Sequence, residues 1–77
     1  MGGLKMIYKV YEWDFVKQEG ELKYTEAEKA IAYFKARKIA ESFCQDEKPL
    51  VCVLPNGTVT YDTDCDFGAV VRLSKEV

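Results

Sequence analysis

One segment, residues 25–44, reads as a helix with apolar side chains on two opposite sides. An α-helix advances by about 100° per residue, which sorts its side chains into stripes. The first stripe consists of Ala32, Ala36, Ile39, Ala40 and Phe43. The second stripe, about half a turn away, consists of Ala27, Ala30, Ile31 and Phe34. One stripe is enough to pack a helix on a sheet, so the second stripe needs another cover.

Two kinds of cover for the second stripe are compatible with the sequence. Residues 2–6, the last strand or a bend near residues 33–35 could bury it within the molecule. Alternatively, the stripe is an exposed patch that binds another protein or a second copy of the chain, since such patches commonly mark contacts. Under the second interpretation, Ile31, Phe34 and Lys38 are the first partner-binding candidates.

The remainder of the chain is rich in strand signals. Residues 5–16 alternate, with Ile7, Tyr11, Trp13 and Phe15 on the side that we predict to face the core, interrupted only by Lys9. We further predict a polar turn at 17–20, a short strand at 21–24, a strand at 69–73 and a frayed end at 74–77. The sequence from Thr25 to Glu28 fits a capping box, and the helix must end before Pro49.

Residues 50–54 and 58–61 flank Pro55-Asn56-Gly57 and predict a hairpin. A two-residue turn would pair Leu54 with Val59. A three-residue loop with Gly57 in the left-handed conformation pairs Val53 with Val59 and Val51 with Tyr61. We favour the second register because it collects four large apolar side chains on one face. The element order is then β-β-α-β-β-β.

These elements and the length of 77 residues predict a single α+β domain, residues 1–77, in which one helix packs on an antiparallel sheet in two layers. The composition, 48% hydrophobic and 31% charged, is that of a folded protein. No export signal or apolar run of membrane-spanning length occurs, so we expect a cytoplasmic protein without a membrane partner.

An acidic loop, residues 62–68, contains Asp62, Asp64 and Asp66. The alternation is similar to the start of a calcium loop, but Phe67 stands where glycine is needed and Leu73 where the closing glutamate is needed. We therefore predict no metal site. The three aspartates are either a solvated loop or, as a second partner-binding candidate, a contact for basic residues on a partner.

The sequence shows no spacing that would bring a nucleophile and a base together, although cysteines and carboxylates are present. Histidine, the commonest general base, is absent, and Cys44, Cys52 and Cys65 show no Cys-x-x-Cys spacing. We expect three reduced thiols, with a Cys44–Cys52 disulfide left open, and neither an enzyme nor a cofactor.

The sequence therefore favours a small non-enzymatic protein-binding module. Short acidic domains of this size and style are common in phages and mobile elements, where many block host proteins, including defence nucleases; by that analogy the chain is an inhibitor acting by occlusion. A single-stranded nucleic-acid-binding protein that uses sheet aromatics is the alternative, disfavoured by the net charge of −2. A structural homodimer is the third.

Overall fold

A computed structural model of the chain describes residues 5–44 and 48–76. Its elements are β1 (Lys5–Asp14), β2 (Glu19–Glu26), α1 (Lys29–Glu41), β3 (Leu50–Val53), β4 (Val59–Asp62) and β5 (Phe67–Glu76). The strands form one antiparallel sheet in the order β2-β1-β5-β4-β3. The helix packs on one face of this sheet, so the predicted α+β fold and element order are confirmed.

The two longest strands, β1 and β5, pair along their whole length, from Lys5 opposite Glu76 to Asp14 opposite Phe67. The prediction of a frayed end is therefore wrong for residues 74–76, because β1 begins early enough to give them partners. Residue 77 lies outside the described residues. β5 also begins two residues earlier than the predicted strand at 69–73.

The β1–β2 turn lies two residues earlier than predicted. The Asp14 carboxylate accepts hydrogen bonds from the backbone amides of Val16 and Lys17, each at 3.0 Å. Gln18 takes a positive φ of 55°, which reverses the chain. Consequently β2 begins at Glu19, and the predicted turn at 17–20 is wrong for its last two residues.

The start of the helix differs most from the prediction. Thr25 and Glu26 pair with Lys9 and Tyr8 at the end of β2, so the predicted capping box is wrong. The backbone hydrogen-bonding groups of these two residues are paired in the sheet, so the helix begins later. Glu28, with an extended backbone, is the N-cap, and its side chain makes no capping hydrogen bond.

The β3–β4 hairpin has the predicted three-residue register. Val53 pairs with Val59 and Val51 with Tyr61. The amide of Gly57 donates to the Leu54 carbonyl oxygen at 2.9 Å, and Gly57 adopts a φ of 90°, a conformation that glycine takes at little cost. The turn chemistry thus sets the register of the two strands.

The core lies between α1 and the facing side of the sheet. Its buried members are Val10, Ala32, Ala36, Ala40, Val59, Tyr61, Ala69 and Val71. The first helix stripe is therefore confirmed as the core stripe for Ala32, Ala36, Ala40 and Ile39. The helix ends at Glu41, so the predicted end at residue 44 is wrong, and Phe43 follows the helix and stacks on Phe67 at 5.5 Å.

The predicted core side of β1 is wrong. Val10 is fully buried and Tyr8 packs against the core, whereas Tyr11 and Trp13 alternate onto the opposite face of the sheet. Both sides of β1 carry large apolar residues, so the sequence of the strand alone does not decide which side faces the helix. The pairing of Val10 with Val71 decides it, because this pair joins two small branched side chains under the helix.

Candidate functional site

The second helix stripe is exposed in the structure. The exposed fraction is 40% for Ile31 and 60% for Phe34, and Ala30 is exposed as well. The last strand does not cover them, because it pairs with β1 and β4 inside the sheet. Ala27 precedes the helix, so its assignment to the stripe is wrong. The proposed cover by residues 2–4 lies outside the described residues.

A groove separates this stripe from strand β3. The cleft has a volume of about 350 Å³ and is lined by Ala30, Tyr33, Phe34, Arg37, Val51 and Tyr61. Within the described part of the chain, α1 contacts β1, β2, β4 and β5 but not β3. Val51 and Val53, which share the helix side of the sheet with Tyr61, therefore remain 44% and 72% exposed. The sequence analysis placed both on the apolar face of the hairpin but did not predict their part in the groove.

Basic side chains form the rim of the groove. The Lys38 ammonium lies 5.4 Å from the centre of the Phe34 ring and 3.8 Å from the Glu41 carboxylate. Arg37 and Glu41 line a smaller neighbouring cavity together with Lys48. Arg37 and Lys38 against Glu41 leave this part of the rim with a net positive charge, whereas Lys48 also lines the cleft that contains Asp62 and Asp64.

The floor of the groove contains Tyr61, whose ring also belongs to the core. Burial raises the pKa of its hydroxyl above the ordinary value, the neighbouring Tyr33 raises it further, and the Arg37 guanidinium opposes both. Tyr61 therefore stays neutral at physiological pH.

The acidic loop lies apart from the groove. Asp62 is half-buried at the end of β4, whereas Asp64 and Asp66 are exposed. Asp62 and Asp64 line a separate cleft with Cys44, Lys48 and Leu50. The loop is closed by Thr63, whose hydroxyl donates to the Phe67 carbonyl at 2.5 Å and accepts from the Cys65 amide at 3.1 Å. The structure thus does not join the two predicted contact regions.

The arrangement of the carboxylates and thiols bears on metal and disulfide chemistry. In the ranges 5–44 and 48–76, no group of three Cys, Asp or Glu side chains is arranged to hold a metal ion. No disulfide joins Cys44, Cys52 and Cys65, all of which lie in the described part of the chain.

The open face of the sheet carries a second cluster, which sequence reasoning assigned to the core. The Arg72 guanidinium lies 4.9 Å from the Trp13 ring centre and 5.5 Å from that of Tyr11. The two rings meet edge to face at 6.2 Å. Trp13 also covers Gly20 on β2, where a β-carbon would lie 2.3 Å from the ring. The charge of Lys9, on the same side of β1, is the sequence signal for an open face.

The two edges of the sheet differ in character. β2 has charged residues at every second position (Glu19, Glu21 and Lys23), and a bulge interrupts its pairing with β1. β3 reads Leu50-Val51-Cys52-Val53, with no charge, and all four residues are exposed. Charges and bulges protect the edge at β2 against pairing with another chain, whereas β3 has only its length of four residues and the flanking Pro49 and Pro55 as protection.

Comparison with protein-family models, with curated proteins and with solved structures gave no match. Among the described residues, no helix is both long and apolar enough to cross a lipid bilayer.

Proposed function

We propose that the protein is a small non-enzymatic binding module that occupies a surface of another protein through the groove between α1 and β3. One observation carries this proposal: Phe34, a large aromatic side chain, is 60% exposed directly beside the apolar cleft. Aromatic anchors that fill a pocket dominate the energetics of protein interfaces. Ile31, at 40% exposed, and Lys38 extend the same surface.

Within this proposal, the module acts in the cytoplasm by occlusion, as expected from the sequence. Inhibition of a host defence protein by a phage or mobile-element protein remains the specific hypothesis. Asp62, Asp64 and Asp66 form a separate acidic contact, in a loop whose backbone is fixed by Thr63. A homodimer through the groove is the competing outcome.

The test is a matched pair of variants, Phe34→Asp and Val16→Asp. Both replace an exposed apolar side chain, since Val16 is 68% exposed in the β1–β2 turn, on the far side of the sheet from β3. A photo-reactive phenylalanine analogue at position 34, and separately at position 16, identifies the protein that contacts each site in the native host. The partner captured at position 34 is then purified, and its Kd is measured for each variant.

We expect Phe34→Asp to weaken binding by about 30-fold or more, since a central aromatic anchor is worth about 2 kcal/mol or more. Val16→Asp should bind like the wild type. Circular dichroism should stay native in both variants, with a change of less than about 1 kcal/mol in the free energy of unfolding, because both sites are exposed. Equal binding by the two variants would exclude the groove. Sedimentation at several concentrations tests the homodimer.

A second candidate function is supported by the open face. Tyr11 and Trp13 project there beside Arg72, and single-stranded nucleic acid binds by stacking bases on such rings next to cations. Trp13 is the only tryptophan, so its fluorescence reports this face alone. If this function operates, oligo-dT or oligo-rU should quench Trp13 at low salt, and Tyr11→Ala should weaken the binding while Phe34→Asp leaves it unchanged. Fluorescence that does not change at low salt rules this function out.

A further inference from the structure

The sequence of β3 and its flanks reads the same in both directions. Residues 49–55 are Pro-Leu-Val-Cys-Val-Leu-Pro, so Cys52 is the centre of a seven-residue palindrome without any charged residue. The segment lies at an edge of the sheet. When two copies of such a strand pair antiparallel about its centre, each residue lies opposite a residue of its own type. The pair has two-fold symmetry, as most homodimers do.

The backbone of β3 is in phase for this pairing. The Leu54 amide donates to the Thr58 carbonyl oxygen at 2.8 Å, which fixes the alternation of the hairpin ladder. Along an antiparallel strand, groups that face one neighbour alternate with groups that face the other side. The N–H and C=O groups of Val51 and Val53 therefore face outward. With the axis at Cys52, Val51 lies opposite Val53 of the second copy, and each such pair exchanges both of its hydrogen bonds.

The two prolines fix the register of the pair. Pro49 and Pro55 lie at equal distances from Cys52, at positions whose backbone groups face outward, and neither has an N–H to donate. An axis at Val51 or at Val53 would put a proline opposite a valine and lose hydrogen bonds there. An axis at Cys52 puts proline opposite proline, so the valines keep all their partners. The strand thus permits one complete pairing with its own copy.

The side chains fit the same axis. Leu50 and Leu54 are 66% and 41% exposed on the face of the sheet opposite the helix, where each would pack on the other leucine of the second copy. Val51 and Val53 are exposed on the helix side and would pair in the same way. Apolar pairs across two strands stabilise a sheet. The second copy extends the sheet beyond β3 and does not enter the groove beside Phe34.

The charges beside β3 do not oppose a second copy. They lie at the Pro49 end of the strand, where Arg37, Glu41 and Lys48 line a cavity with Pro49, and Asp62 pairs with Leu50. An axis at Cys52 places the two Pro49 ends about 20 Å apart, because six residues of extended strand separate positions 49 and 55. Charges are largely screened beyond about 10 Å at physiological salt. Each charged group is therefore remote from its own copy.

We propose that two copies of the chain pair through β3, antiparallel and with the two-fold axis at Cys52, so that their five-stranded sheets form one sheet. The contact uses seven residues of each chain, fewer than the roughly 20–30 per side of a stable interface, so the dimer exchanges with the monomer at micromolar concentration. Each copy keeps its surface around Phe34 free for another protein. The inference therefore goes beyond the proposed function and can fail without it.

The thiol at the axis provides the first test. Opposite residues that are not hydrogen-bonded in an antiparallel pair have Cα atoms about 4.5 Å apart, within the range of a disulfide. In the full chain with Cys44→Ser and Cys65→Ser, Cys52 is the only thiol. Diamide is the oxidant, and it takes up the two electrons and two protons that two thiols release on forming a disulfide. The covalent dimer is measured against time.

The matched control moves the thiol by two residues along the same face. It adds Cys52→Ser and Leu50→Cys, so its thiol is exposed but lies opposite position 54 of the second copy. We expect the protein with Cys52 alone to cross-link about tenfold faster than this control, because pairing raises the effective concentration of its thiol. A third protein, with Leu54→Cys in place of Leu50→Cys, should cross-link to the control faster than to itself.

The variants Cys52→Asp and Cys52→Asn test the pairing without an oxidant. Two aspartates would face each other at the axis, and like charges directly opposite each other destabilise a strand pair. Asparagine has the same shape without the charge. In wild type and Cys52→Asn, the amides of Val51 and Val53 should gain protection from exchange as the protein concentration rises. In Cys52→Asp this gain should be lost, while circular dichroism stays native because Cys52 is exposed.

Three results would overturn the proposal. The first is equal cross-linking of the protein with Cys52 alone and the Leu50→Cys control. The second is exchange at Val51 and Val53 that does not depend on concentration up to the millimolar range, or depends on it equally in Cys52→Asp. The third is self-association that changes only the signals of Ile31 and Phe34, which would make the groove the dimer interface. The first two results leave the groove available to another protein, so the proposed function would survive them.

Discussion

Tyr61 connects the core of the protein to its groove. Its ring is packed in the buried cluster, and the same ring forms part of the cleft beside Phe34. The buried position disfavours the charged phenolate, which is why the pKa of its hydroxyl is raised. A residue shared in this way links the stability of the fold to the shape of the binding surface.

The raised pKa of Tyr61 gives a pH dependence with a definite sign. The folded state holds the phenolic proton more tightly than the unfolded chain, whose tyrosines titrate near pH 10. The stabilising effect is therefore complete below about pH 10 and is lost as the pH rises through the folded-state pKa. Tyr61→Phe removes this titration.

Denaturant unfolding of wild type and Tyr61→Phe between pH 8 and 11 checks this prediction. The free energy of unfolding of the variant, relative to wild type, should rise above pH 10 by up to about 1.4 kcal/mol per pH unit. A difference that stays constant from pH 8 to 11 would contradict it.

A stripe of alanines forms the face of α1 that packs on the sheet. Ala32, Ala36 and Ala40 are fully buried, and their small side chains let the helix lie close to the sheet. Two larger apolar residues of the same helix, Ile31 and Phe34, point away from that contact, whereas Ile39 packs against the core. The alanine periodicity made the inner face of the helix predictable from the sequence.

The N-terminus of α1 is capped poorly. Glu28 has the extended backbone of an N-cap, but its side chain makes no capping hydrogen bond. Aspartate is a strong N-cap residue because its short carboxylate reaches the amides of the first turn. Glu28→Asp keeps the charge and should raise the free energy of unfolding by about 0.5–1 kcal/mol.

Thermal or denaturant unfolding measures this effect, with Glu41→Asp as the control at the opposite end of the helix. That position has no free amides to cap, so the control should give no gain in stability. If both variants gave the same change, capping would not be its cause.

Local and long-range signals at the element level differ in what they predict. Pro55-Asn56-Gly57 predicted its hairpin register correctly, because turn geometry and the pairing of Val53 with Val59 agree. The capping box at Thr25 failed, because the pairing of Thr25 with Lys9 depends on a strand that lies far away in sequence. The face of β1 failed for the same reason, since β5 decides it through Val71.

At the scale of the whole molecule, one helix covers a sheet that is wider than itself. A helix is about 10 Å across, whereas five strands spaced by about 4.8 Å extend well beyond it. The helix packs mainly on β1 and β5, so the far strand β3 is left out. From the helix alone it could be predicted that Phe34 lies off the core stripe, but not that this residue is exposed. The addition of Val51 and Val53 to that surface could not be predicted either, because it depends on where the helix lies across the sheet.

The unequal edges of the sheet also limit the stoichiometry of any assembly. A filament grows by strand pairing only when both edge strands of each molecule can pair with another strand. Here the bulge and the charged residues of β2 oppose pairing at one edge of the sheet. A complex formed at β3 would therefore end after one addition, which gives a defined one-to-one product and keeps an exposed apolar strand from starting a fibre.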